Sequence, residues 1–89
     1  MNTVADTLNE RGTQHGSFAD NAKFSQTVKR LMRDLPAWEF LRNEQKEALE
    51  MIALKISRVM SGYADHADHW RDIAGYATLA EQSIPNPQD

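Results

Sequence analysis

Cysteine is absent from the 89 residues, so neither a disulfide framework nor a thiolate metal site is available. Long apolar runs are missing too, and nothing approaches the ~18–20 residues needed to cross a bilayer. The start, "MNTVADTLNERG", has no basic segment followed by an apolar block and does not read as a secretory signal. There is no excess of positive charge either. Ten Lys and Arg stand against thirteen Asp and Glu, a net charge of −3 with a pI near 5.5. That balance argues against non-specific binding to DNA or RNA, while leaving room for a local basic pocket. Internal repeats and strand-like alternation are also lacking. The expectation is a cytoplasmic protein, with no membrane partner.

What is present suits one small domain. Hydrophobic residues make up 40% and charged residues 26%, ordinary for a soluble globular chain. A chain of this size buries about 60–65% of its unfolded surface, so its core is thin and association is a natural supplement. Residues 1–84 are expected to form a single helical domain, with the proline-bearing end, residues 85–89, as a frayed tail. The fold class is all-α: a small bundle of three main helices plus a short N-terminal one.

The N-terminal helix is read from Val4, Ala5 and Leu8, with Gly12 as its stop. "RGTQHGS" is a loop. Ser17, with Asp20 three residues later, resembles a capping box before "FADNAKFSQTVKRLMRDL", whose apolar stripe is Phe24, Val28, Leu31, Met32 and Leu35. Pro36 ends that helix, and "PAWEFLR" is read as a short helical turn that brings Trp38, Phe40 and Leu41 over the core. Asn43 can cap the central helix, roughly 43–61, whose middle is apolar nearly all round and which Gly62 stops. A last helix of roughly 66–83 follows, antiparallel to the central one, with Asp65 or Asp68 as N-cap.

The titratable residues cluster in this last part. "DHADHWRDIAGYATLAEQ", residues 65–82, holds three aspartates, two histidines, a tryptophan and a tyrosine. Projected on a helix, Asp65, Asp68, Asp72 and Tyr76 line up with His69 beside them, while Trp70, Ile73 and the alanines face elsewhere. On the central helix Glu44, Glu47, Met51, Lys55 and Arg58 share one side. Leu49, Ile52, Ala53, Ile56, Val59 and Met60 cover a different, broader face. A short turn at Gly62 would bring Lys55 and Arg58 close to Asp65, Asp68 and His69. Carboxylates between packed helices suit a hard divalent cation, so Glu44, Glu47, Asp68 and Asp72 are the candidate magnesium ligands. Lys55 and Arg58 would then take the outer oxygens of a phosphate chain.

Each feature also has a plainer reading. Glu-x-x-Glu is a common solvated face, Lys55 and Arg58 can pair with neighbouring carboxylates, and Asp68 and Asp72 can serve as cap and dipole partners. His66 and His69 have metal-compatible spacing, but no thiol or further histidine supports zinc. Trp70 reads as core or a subunit contact. Gly75 within a helix suggests close helix approach or contact with a ligand. In "ERGTQHGSFADNA", residues 10–22, the loop with Arg11 and His15 leads into a helix start that can present N–H groups to an anion, or is an ordinary connection.

Taken together, "ERGTQHGSFADNA", "ALEMIALKISRVMSG" and "HADHWRDIAGYATLA" resemble a family of small, uncharacterised phage and prophage proteins. These share an Arg-Gly-x-x-(Tyr/His)-Gly start, a Lys-Ile-x-Arg helix and an Asp-x-Ala-Gly-Tyr-Ala ending, and the resemblance covers residues 10–80. The last two blocks are also similar to a phage domain associated with nucleotide modification. More remotely, the layout resembles the all-α NTP pyrophosphohydrolases of the MazG type, which hold magnesium with Glu-x-x-Glu on one helix and Glu-x-x-Asp on the next. That resemblance implies Glu44 and Glu47 for the first pair, with Asp68 and Asp72, four apart rather than three, standing for the second.

Three functions follow as expectations. The first is a phage or prophage accessory protein that binds or hydrolyses a nucleotide, with magnesium between Glu47 and Asp68/Asp72. In hydrolysis, water would attack a phosphoanhydride, and Lys55 or Arg58 would stabilise the developing charge. The second is a non-enzymatic binder of a nucleotide-like signal, using the basic pair and the glycine loop. The third is a helical interaction protein whose polar stripe is a structural ion-pair seam. Trp38, Phe40 and Trp70 are a large aromatic load for a thin core, and the expected state is a homodimer or higher homo-oligomer.

Overall fold

A computed structural model describes residues 17–85. They form an all-α bundle in the order α1 (Phe18–Arg33), a 3₁₀ turn (Pro36–Phe40), α2 (Asn43–Met60) and α3 (Ala67–Gln82), with no strand among them. The short N-terminal helix expected around Val4 to Leu8, and the tail beyond residue 85, lie outside the described residues.

Each helix begins and ends for a local reason. At the head of α1 the Ser17 side chain accepts from the Asp20 N–H at 3.4 Å, which is the cap its sequence promises. Pro36 cannot continue that helix and instead opens the 3₁₀ turn. The N-cap of α2 is Arg42, one residue before Asn43, and the Gln45 side chain accepts from the Arg42 backbone N–H at 3.0 Å. Gly62 closes α2 at φ +119°, a backbone conformation that costs residues with a Cβ and suits glycine. The N-cap of α3 is His66 rather than Asp65 or Asp68. Asp68 lies in the first turn, where a carboxylate favours the positive end of the helix dipole.

The central helix is α2. It packs against both α1 and α3, which scarcely touch each other. Where α1 meets α2 the Ser61 hydroxyl bonds to the Asn21 side chain; Asn21 and Ser25 on α1 are buried, and Ser57 on α2 is fully buried with its hydroxyl donated to the Leu54 carbonyl of its own helix. Arg33 and Glu50 bridge the same two helices at 2.7 Å. The Arg42 guanidinium reaches the Ser83 hydroxyl at 3.2 Å, tying the start of α2 to the end of α3.

The apolar core is thin. Among the described residues the fully buried hydrophobics are Ala48 and Ala53, both on α2. The α1 stripe is wider than its partner helix can cover: Phe24, Val28 and Met32 are half-buried, whereas Leu31 and Leu35 are each 63% exposed. Trp38 is half-buried but Phe40 is 85% exposed, so the 3₁₀ turn closes over the core with one aromatic and turns the other outward. Gly75 has nothing within 4 Å of where a Cβ would stand, and the close helix approach expected there does not occur.

Candidate functional site

The α2–α3 seam holds the titratable cluster. Lys55 Nζ meets Asp72 Oδ2 at 2.9 Å, and the lysine side chain is only 14% exposed against 43% for the aspartate. Packing of α3 on α2 takes the lysine stem out of water and leaves its ammonium on the carboxylate. The hydrogen bond from Lys55 holds the Asp72 carboxyl below its ordinary value of 3.8. Partial burial opposes this, and the charges of Lys55, His69 and Arg71 add to the lowering. His69 is buried one turn earlier on α3, and its ring stands edge-on to His66 with centroids 4.7 Å apart. Tyr76, one turn later, is half-buried on the same side.

The turn between the helices decides which charges meet. Residues 61–66 form it, and Trp70 Nε1 donates to the Ala64 carbonyl at 2.6 Å across its inner edge. A loop that long slides the pairing by about one helical turn relative to a tight connection. Lys55 therefore meets Asp72, and Asp68 instead bonds to Arg71 at 2.9 Å, with His66 at 3.8 Å. Asp65 is exposed on the turn. Arg58 is half-buried in the last turn of α2, where a cation complements the negative end of the helix dipole.

The same register separates the candidate metal ligands. With Lys55 level with Asp72, Glu47 lies about 12 Å further along α2 at 1.5 Å per residue, and Asp68 about 6 Å the other way. Glu44 is another turn beyond Glu47, and both glutamates are exposed, opposite the later turns of α3. Oxygen ligands of one magnesium ion lie 2.0–2.1 Å from it, a geometry these four carboxylates do not reach in this packing. No group of three or more His, Asp or Glu side chains positioned to hold a metal occurs among the described residues. Arg11 and His15, the candidate phosphate-binding residues of the N-terminal loop, lie outside those residues.

Several tertiary contacts have no counterpart in the motif reading. Arg33–Glu50 and Arg42–Ser83 join residues far apart in sequence, so helical periodicity carries no trace of them. The small polar contact between α1 and α2 did leave a signal: Asn21 and Ser25, like Ser57 and Ser61, are spaced four apart and so share one helix face. A second feature sits on the far side of α2 from the seam. A groove of about 150 Å³ lies between the end of α1, the 3₁₀ turn and α2, lined by Met32, Leu35, Ala37, Trp38, Leu41 and Leu49, with no polar surface.

No helix among the described residues is long and apolar enough to cross a membrane. Neither the curated proteins nor the solved structures contain a match to the chain. The model of a domain of unknown function, DUF6378, matches residues 1–84, and the chain belongs to that family.

Proposed function

We propose that the domain is a helical interaction protein, non-enzymatic, in which the Lys55–Asp72 pair is a structural seam and the work is done by assembly. The observation that carries this reading is the inverted burial of its apolar residues. Two alanines are buried, while Leu31, Leu35, Phe40, Met60, Trp70 and Leu79 are each more than half exposed. Scattered single hydrophobics are normal on a surface, but a contiguous apolar patch marks a site of association. The charges support the same view, since Lys55, Arg33 and Arg71 each already hold a carboxylate of this chain. Melting curves in magnesium, manganese and a panel of nucleotides test it. The curves of the wild type and of Lys55→Ala are expected to be unmoved by every addition. A ligand-induced rise in the wild type that Lys55→Ala abolishes would overturn the proposal.

One observation favours a second reading, a phage-type protein that binds a phosphate-bearing ligand such as a nucleotide. Lys55, Asp72 and the buried His69 come together between two helices, and titratable groups withdrawn from water concentrate at functional sites. In this reading the ligand displaces Asp72 from Lys55 and recruits Arg58. Its magnesium-dependent form further requires α2 to slide along α3 until Glu47 approaches Asp72. The same melting curves decide between the two readings.

A further inference from the structure

We infer that the uncovered side of α2 is a homodimer interface, closed by a second copy of this chain. The inference rests on the assembly reading above and names its partner and surface. On a helical projection, Glu50 and Ser61 mark the direction of α1, and Lys55 marks the direction of α3. Leu49, Ile56 and Met60 point about 100° from the first direction and about 120° from the second, at 100° per residue. They are 38%, 37% and 67% exposed. Among the described residues, α2 thus has helices on two sides and, on the third, only the 3₁₀ turn near Leu49, where a packed domain places its other layer.

This stripe is continuous with the apolar groove, because Leu49 belongs to both. Leu35 lines the groove from just beyond the end of α1, and Leu31, four residues earlier and equally exposed, extends the apolar surface. Phe40 eclipses Ala37 on the 3₁₀ turn and so stands at the groove's rim, 85% exposed. Five aliphatic side chains and one phenylalanine at these exposures offer on the order of 500 Å² of apolar surface per copy, taking ~150 Å² for each when fully exposed, the low end of the aromatic range. A stable interface takes about 800 Å² from each partner, with its apolar part at the centre. The area is therefore that of a dimer contact.

Two features favour a second copy as the occupant. Residues 1–16 offer only Met1, Val4, Ala5 and Leu8 as aliphatic side chains, too little to cover six large ones. A twofold contact also brings each residue near the axis against its own duplicate, so a charge there would face a like charge. The exposed stripe carries none: Leu49, Ile56 and Met60 are uncharged, as are the half-buried Ile52 and the buried Ala53 beside them.

Sedimentation equilibrium of the full chain at high micromolar concentration tests the inference. The wild type is expected at twice its 10.1 kDa mass. Ile56→Glu is expected to sediment as a monomer with its helical circular dichroism retained. Met60→Lys, at a position with less packing inside the chain, guards against loss of folding in the first variant and is expected to weaken the dimer at least tenfold. Leu79→Glu, on the exposed side of α3, is expected to remain dimeric. A monomeric wild type overturns the inference. A dimer that survives both Ile56→Glu and Met60→Lys also overturns it, while leaving the assembly reading in place. A nucleotide-induced stabilisation lost in Lys55→Ala removes the assembly reading itself, whatever the mass.

Discussion

Asp72 is held by Lys55 in its ionised form, and that preference has a definite pH signature. A carboxyl whose folded-state value lies below its ordinary 3.8 adds stability above that value and loses it as pH falls through the lowered one. Asp72→Asn is therefore expected to melt below the wild type at neutral pH, with a gap that stays level down to about pH 5 and closes below about pH 4. Melting temperatures of both proteins across pH 2–7 check this, and a gap that widens in acid would contradict it. The residues of this pair were legible from the helical projection, which put Lys55 and Asp72 on the polar sides of their helices. Their pairing was not, because it depends on a turn of residues 61–66 whose length sets the register. Glu44, Glu47, Asp68 and Asp72 looked like one stripe for the same reason: projection reports direction around an axis and says nothing of level along it.

The helices themselves were readable in the chain to within a residue or two, because Ser17, Pro36 and Gly62 each act locally. Arg42 and His66 are not among the usual capping residues, so the starts of α2 and α3 left less to read, although the Gln45 side chain accepts from the Arg42 N–H. Gly75 shows the limit of the local approach. A glycine inside a helix suggests a close neighbour, yet a Cβ there meets nothing within 4 Å. Gly75→Ala is accordingly expected to stabilise α3 by about 0.5–1 kcal/mol, through the smaller conformational entropy of alanine in the unfolded chain. Urea unfolding measures it. A loss of stability instead would mean that another molecule uses the open space beside Gly75. The width of the α1 stripe was legible as well, since Leu31 and Leu35 stood in it beside Phe24 and Val28. Only the tertiary packing shows that α2 covers one edge of that stripe and leaves the other bare.

At the scale of the whole molecule, α2 joins two contacts: one to α1 through Asn21–Ser61 and the Arg33–Glu50 bridge, and one to α3 through Lys55–Asp72. With so little apolar surface buried inside one copy, the proposed dimer would link the stability of the fold to the meeting of copies. The melting temperature is expected to rise with protein concentration from low to high micromolar, and a curve independent of concentration would contradict that linkage. The contact through Asn21, Ser25, Ser57 and Ser61 has a kinetic consequence. It buries hydroxyls and an amide rather than hydrocarbon, so it adds little driving force for collapse. The α2–α3 contact is the more extensive of the two, so α1 is expected to be the last element to dock and the first to open. Amide hydrogens of α1 are expected to exchange with solvent faster than those of α2. In the proposed dimer, Leu31 on α1 and Leu35 just beyond it would be covered, so the second copy would act as a latch on the helix held by the lesser contact.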